Sequence, residues 1–217
     1  MFQLDRRQQC NISSVGPSTS PDKREYTLDD DRSLLRQVLE GRADAFERLI
    51  DRYKALVVHV VYRMILNTED REDICQDVFM KIYRSLASFR FESKLSTWIA
   101  RVAYNTCMNH LDKRRELLLE EFRPDLETLD ELPGVAEQPD RTAEDRDIGL
   151  RLRTEIEKLP AAYRTILALY HLEQMSYNEI GEVMDMPEGT VKSHLFRARR
   201  LLRTKLLSHY RVEDLWS

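Results

Sequence analysis

At 217 residues the chain has room for one large or two small domains. Hydrophobic residues make up 42% and charged residues 33%, with only six Gly and seven Pro, a mixture that suits a helix-rich globular protein with thin cores and a charged surface. No stretch approaches the ~18–20 consecutive apolar residues of a membrane helix, and no apolar signal core stands near the N-terminus, so the expectation is a cytoplasmic protein with no membrane insertion.

In chain order, residues 1–26 are polar, hold Ser13, Ser14, Pro17, Ser18, Ser20 and Pro21, and read as a disordered extension. From Leu28 to Arg115 the apolar spacing is helical almost throughout: Ala45, Phe46, Leu49, Ile50 and Tyr53, continued by Leu56, Val57, Val60, Val61, Met64 and Ile65. Asn67-Thr68 breaks that helix and caps the next, whose first turn carries Glu69, Asp70, Glu72 and Asp73 and whose apolar stripe is Ile74, Val78, Phe79, Ile82 and Leu86. A short segment, Ser88 to Ser96, leads to a helix whose buried side is expected to be Trp98, Ile99, Val102, Ala103 and Thr106 and whose end is Lys113-Arg114-Arg115. Cys75 and Cys107 fall within these helices, where a free thiol packs as a small hydrophobe; with Cys10 they fit neither a disulfide framework nor a zinc site.

Residues 116–145 read as an acidic linker punctuated by Pro124, Pro133, Gly134 and Pro139. The formal net charge of −4 is segregated: Glu116 to Asp147 holds twelve acids against three bases, a net of −9, which leaves +5 on the remainder. Such asymmetry points to polyanion-binding modules joined by an acidic segment. Helix resumes near Thr142, with Leu150, Leu152, Ile156 and Leu159, then Tyr163, Ile166, Leu167, Leu169 and Tyr170 after Pro160. The predicted architecture is all-α: a first bundle over 27–115, the linker, a second bundle over 146–210, and a tail over 211–217.

The most specific local motif spans Tyr177 to Arg197. Ser176-Tyr177-Asn178-Glu179 is a capping box, a short helix carries Ile180, Val183 and Met184 inward, and Asp185-Met186-Pro187 forces a turn, with Pro187 in the first turn of the next helix. That second helix turns Val191, Leu195, Ala198 and Leu202 inward and presents Thr190, Lys192, Ser193, Arg197 and Arg200 outward. This is a helix-turn-helix, whose second helix fits the major groove. Lys192, Ser193 and Arg197 are the candidate base readers, while Arg199, Arg200, Arg203 and Lys205 lie further along and suit phosphates.

Two further faces lie in the first bundle. Asp73, Gln76 and Asp77, extended by Asp70, share one helix face suited to a basic partner helix. Arg101, Asn105 and Asn109 recur at four-residue spacing and lead into Lys113, Arg114 and Arg115, a set able to meet base edges and phosphates. The preceding segment, Phe89-Arg90-Phe91-Glu92-Ser93-Lys94-Leu95, mixes aromatic and polar residues and suits a base drawn from the stack.

The runs DREDICQDVFMKIYRSLASF, STWIARVAYNTCMNHLDKRR and LPAAYRTILALYHLEQMSYNEIGEVMDMPEGTVKSHLFRARRLL, in this order, resemble the extracytoplasmic-function (group 4) sigma factors of the sigma-70 superfamily. The resemblance implies a region 2-like bundle and a region 4-like helix-turn-helix bundle joined by the acidic linker. It implies core RNA polymerase as partner, through the β′ clamp helices and the β flap, with Asp70, Asp73, Gln76 and Asp77 on the clamp helices. It places Phe91, Ser93, Lys94, Arg101, Asn105, Asn109, Lys113, Arg114 and Arg115 at the −10 element of promoter DNA. Thr190, Lys192, Ser193, Phe196, Arg197 and Arg200 are placed at the −35 element. An anti-sigma factor is a further implied partner, and the free chain is expected to be a monomer. The −10 loop reads Phe91-Glu92-Ser93 where many relatives have Gly-Asp-Ser, and the melting aromatics are reduced to Trp98 and Tyr104.

No nucleophile–base set, phosphate loop or metal spacing is visible, and the five histidines are scattered, so no catalytic residue, metal or cofactor is expected. A free-standing helix-turn-helix regulator is the competing reading. It accounts for residues 150–206 but not for the acidic face or the second basic helix. An anti-sigma or scaffold protein explains neither DNA-facing surface.

Overall fold

The computed structural model describes residues 28–121 and 144–209. The expected extension over 1–26, the tail over 211–217 and the linker from 122 to 143 lie outside the described residues. All regular structure among the described residues is helical: α1 Leu28–Leu39, α2 Ala43–Met64, α3 Thr68–Ser85, a 3-10 turn Leu86–Ser88, α4 Leu95–Glu121, α5 Glu144–Glu157, α6 Ala161–His171, α7 Tyr177–Met184 and α8 Glu188–His209. No helix among them is long and apolar enough to cross a membrane.

These helices form two units, divided within α2 after Ala55. In the first, α1 buries Leu34, Leu35 and Val38, and the opening turns of α2 bury Ala45, Leu49 and Tyr53. Gly41, at φ +82°, takes the left-handed conformation that ends α1 without a side-chain clash. Asp31 is buried, and a buried carboxylate needs partners. Arg52 Nη1 and the Tyr53 hydroxyl each donate to Asp31 Oδ1 at 2.8 Å. Burial, then the neighbouring Asp31 charge, raises the Tyr53 pKa far above that of a free phenol, so its proton stays on as a donor.

In the second unit the rest of α2 buries Leu56, Val57, Val58, Val60, Val61 and Met64, α3 buries Ile74, Cys75, Val78, Phe79 and Ile82, and α4 buries Leu95, Ile99, Ala100, Ala103 and Cys107. Asn67 caps α3 as its sequence suggests, accepting from the Glu69 amide at 3.1 Å. Both buried thiols are pushed up to about 12 by desolvation, so they are packing groups rather than nucleophiles. Helix α4 packs on α3 and also on α7, while α8 packs on α5, α6 and α7.

Two helix boundaries differ from the sequence expectation. Helix α4 does not stop at Lys113-Arg114-Arg115 but runs to Glu121, because Glu116-Leu117-Leu118-Leu119-Glu120-Glu121 is a string of strong helix formers and the first breaker is Pro124. Pro187 sits one residue before α8 rather than inside its first turn, and its carbonyl accepts from the amides of Thr190 and Val191 at 2.9 and 3.1 Å.

One buried side chain ties the two halves of this unit. The Arg164 guanidinium donates to the carbonyls of Arg63 at 2.6 Å and Met64 at 3.3 Å, at the end of α2, and to those of Glu157 at 3.1 Å and Leu159 at 2.6 Å, at the end of α5. The last carbonyls of a helix have no partner within it, and a cation there also opposes the helix dipole. Desolvation lowers the Arg164 pKa to about 10, which leaves it charged at neutral pH.

Candidate polymerase and DNA interfaces

The acidic face lies on α3. Asp73, Gln76 and Asp77 are exposed on the side opposite Ile74, Cys75 and Val78, and their side chains make no hydrogen bond or ion pair among the described residues. Asp70, expected on the same face, turns instead toward α4. Its Oδ2 accepts from Arg114 Nη1 at 3.2 Å, and His110 Nε2 lies 3.4 Å from the same oxygen. Asp70 and Arg114 therefore hold each other.

Between α3 and α4 three aromatic rings cluster. Phe89 is central, 4.8 Å from Phe91 and 5.4 Å from Trp98 between centroids. Trp98, expected on the buried side of its helix, is only half-buried and covers Phe89. Phe91 is half-buried with φ +57°, a conformation costly for a residue with a Cβ. Ser93 is half-buried beside it. Lys94 is exposed and bonds to Glu179 of α7 at 2.8 Å.

Along α4, Arg101, Asn105, Asn109 and Lys113 are all exposed at four-residue intervals, with Arg115 beyond. The opposite side is fixed by Ile99, Ala103 and Cys107, and by Thr106, which accepts from Lys81 Nζ at 3.2 Å and donates to the Val102 carbonyl at 2.7 Å. Arg114 is exposed too, but it is the residue held by Asp70.

Helices α7 and α8 form the predicted helix-turn-helix. The capping box is complete: the Glu179 amide donates to Ser176 Oγ at 3.3 Å, and the Ser176 amide donates to Glu179 Oε2 at 2.7 Å. Burial opposes ionisation of Glu179, but bonds from Lys94 and Ser176 outweigh it and hold its pKa below that of a free glutamate. The turn uses a left-handed Asp185, and a Cβ on Gly181 would stand 2.7 Å from the Met186 carbonyl oxygen. Only glycine lets the chain fold back this closely.

Val191, Leu195 and Ala198 anchor α8 inward. Lys192, Ser193, Phe196, Arg197 and Arg200 project outward, and Thr190 is half-buried at the start. Ser193 Oγ donates to the Gly189 carbonyl at 2.9 Å, and Lys192 Nζ pairs with Glu188 at 2.6 Å. The Phe196 ring is 66% exposed on this cationic face, a large apolar group left open among charged neighbours.

Two further ties join helices that lie far apart in the sequence. His59 Nδ1 of α2 bonds to Glu173 in the α6–α7 turn, and Arg164 bridges as described. With Lys94–Glu179 they place the loop before α4 against the start of α7. Sequence reasoning misses the roles of Phe89, Glu173, Glu179 as a partner of Lys94, and Arg164; no local periodicity signals any of them.

The family model for Sigma-70 region 2 matches residues 49–116, and the model for Sigma-70 region 4 matches residues 149–202. The chain is 32% identical over 179 residues to the ECF RNA polymerase sigma factor SigW of Bacillus subtilis, covering 81% of this chain and 96% of that protein. The chain belongs to the ECF family of RNA polymerase sigma factors. It is also 33% identical over 180 residues to the RNA polymerase sigma-H factor of Pseudomonas aeruginosa, covering 81% of this chain and 93% of that one. Its fold resembles the sigma factor RpoE of Bartonella quintana, solved with the anti-sigma factor NepR, at TM-score 0.57 and 22% identity over 76% of this chain and 98% of that one.

As an ECF sigma factor the protein directs promoter-specific transcription initiation by RNA polymerase. The region 2 match contains the acidic α3 face, the three-ring cluster and the α4 stripe; the region 4 match contains the helix-turn-helix. The region 2 match is what a free-standing helix-turn-helix regulator would lack.

Proposed function

We propose that three exposed faces divide the work of this sigma factor. Asp73, Gln76 and Asp77 on α3 dock on the coiled-coil clamp helices of the polymerase β′ subunit, and the region 4-like bundle meets the β flap. Phe91, Ser93 and Lys94, with Arg101, Asn105, Asn109, Lys113 and Arg115 on α4, recognise and open the −10 element. Thr190, Lys192, Ser193, Phe196, Arg197 and Arg200 read the −35 element. The observation that carries this reading is the chemical separation of the faces: an exposed acidic face on α3, without side-chain partners among the described residues, and two exposed polar-cationic helix faces on α4 and α8.

Initiation then works by binding and strand capture, with no bond chemistry supplied by this chain. A base leaving the stack costs about a few kcal/mol, which stacking on an exposed ring and contacts to the flanking backbone offset. Asp70 and Arg114 act on each other and steady α3 against α4. The solved complex of RpoE with NepR supports an anti-sigma factor as a partner of this chain. The protein is a cytoplasmic monomer when free of polymerase.

The deciding experiment is transcription in vitro from genomic DNA with core polymerase, with and without this chain. Discrete start sites that depend on the protein are the expected result. Tight operator binding by the isolated chain, without any effect on start-site choice, would return the protein to the regulator class.

A further inference from the structure

The last turn of α6 and the first residue of α7 bring two phenol rings face to face. Tyr170 and Tyr177 have centroids 5.4 Å apart and planes 12° from parallel. In the sequence Tyr170 reads as one more residue of an apolar stripe and Tyr177 as the start of a helix. In the structure both are half-buried, and each ring carries a cation from α8. Lys192 Nζ is 5.3 Å from the Tyr177 centroid, and the Arg199 guanidinium carbon is 4.9 Å from the Tyr170 centroid. Both distances fall within the ~6 Å over which a ring face attracts a cation. Lys192 and Arg199 are seven residues apart, about two turns, so they leave α8 on the same side.

Arg199 is held more firmly than its neighbours. His171 Nε2 accepts from Arg199 Nε at 3.3 Å and from Nη2 at 3.1 Å, and the His171 ring stands edge-on to Tyr170 at 5.0 Å. A guanidinium only donates, so this imidazole nitrogen is unprotonated; burial and then the Arg199 charge lower the His171 pKa and favour that neutral form. Arg197 and Arg200, on either side, are exposed and make no side-chain bond among the described residues. Lys192 is confined between the Glu188 carboxylate and the Tyr177 ring. A long side chain fixed before binding loses less freedom when it meets DNA.

We propose that Tyr170 and Tyr177 are positioning residues for upstream promoter recognition: the stacked pair sets the placement of α8 through its two cations, aims Lys192 into the groove, and makes Arg199 an internal anchor rather than a phosphate contact. The proposal rests on the assignment of α8 as the −35 reader. It separates two roles that sequence alone merges, because Arg197, Arg199 and Arg200 are adjacent members of one basic run.

The test uses holoenzyme assembled from the full chain and core polymerase. It compares a promoter found by start-site mapping with the same promoter carrying a scrambled −35 element. Tyr170→Leu and Tyr177→Leu keep bulk but remove the ring, and each lowers the ratio of initiation rates roughly 3- to 10-fold. Tyr170→Phe and Tyr177→Phe keep the ratio within about twofold of the unsubstituted protein, since ring–cation attraction does not need the hydroxyl. If Tyr177 acts through Lys192, Tyr177→Leu adds no further loss once Lys192→Met is present, a coupling that simple destabilisation does not produce. Leu variants that keep the full ratio, Phe variants that lose as much as Leu, or additive losses in the Lys192→Met background overturn the platform. A leucine variant too unstable to assay leaves the phenylalanine pair and the Lys192→Met comparison with Tyr177→Ile to decide. If the unsubstituted protein shows no −35 dependence at all, the assignment of α8 itself has failed, and the platform falls with it.

Discussion

Asp70 on α3 and Arg114 on α4 meet at 3.2 Å, and this contact separates Asp70 from the three polar residues that otherwise share its helix face. Docking is then expected from Asp73, Gln76 and Asp77. Asp73→Lys with Asp77→Lys abolishes co-purification with core polymerase while the circular dichroism spectrum is unchanged. Asp70→Asn keeps core affinity within about threefold, because a partly exposed pair contributes only ~0.2–1 kcal/mol to the fold. Loss of core binding in the Asp70 variant alone would put Asp70 back at the interface.

Gly181 has no room for a methyl group beside the Met186 carbonyl. Gly181→Ala is expected to destabilise the protein by about 1–3 kcal/mol through overpacking at the turn. Gly189, in the first turn of α8, meets nothing within 4 Å, so Gly189→Ala is expected to be neutral or stabilising by up to about 1 kcal/mol. Thermal melts of the two variants should move in opposite directions or diverge clearly.

Arg164 serves four carbonyls at the ends of two helices. Replacement by Met fills similar space but supplies no donor, and water reaches only some of the freed oxygens. A loss of about 3 kcal/mol is expected, seen as a melting temperature lower by roughly 6–12 °C. Hydrogen exchange should rise first at the ends of α2 and α5. An unchanged melt would mean that the guanidinium bonds are not stabilising.

On α8, Lys192→Ala with Arg197→Ala should weaken dependence on the −35 element by ~1–3 kcal/mol for each base-edge interaction removed. Transcription that ignores both substitutions would show that these side chains do not read bases.

Lys94 and Glu179 touch at 2.8 Å, yet the proposed function gives one to the −10 site and the other to the −35 module. Element centres about 25 base pairs apart are separated by ~85 Å along B-form DNA at ~3.4 Å per pair. On that assignment the contact breaks before both elements are held. With Cys10 replaced by Ser, cysteines at 94 and 179 joined by a short bifunctional maleimide should block use of a two-element promoter, and an uncoupled control should not. Full activity of the linked protein would exclude the need to separate.

Much of this arrangement is legible in the chain because its signals are local. The capping box at Ser176 and Glu179, the cap at Asn67, the inward stripe of α3 and that of α8 at Val191, Leu195 and Ala198 each lie within a turn or two of helix and are found where the spacing places them, while Leu202, expected on the same stripe, is only half-buried. What escapes depends on partners far along the chain. Arg164 is a hundred residues from Met64, and Lys94 is 85 from Glu179, so periodicity gives no hint of either bond. The extension of α4 to Glu121 escapes for another reason: a basic cluster reads as a stop, although helix propensity continues until Pro124. Trp98 is half-buried and lies against Phe89, a residue of the preceding segment that the helical spacing does not point to.

The backbone at position 91 has a consequence for how this sigma factor can change. Glycine is the residue for which a positive φ is free of penalty, whereas this chain holds that twist with a phenylalanine. The departure of order 1 kcal/mol or more is held in place by the ring resting on Phe89. Loop shape and stacking surface are therefore inherited together. Exchanging Phe91 removes the half-buried ring and releases the bend at the same time, and the change is felt by Phe89, on which that ring rests.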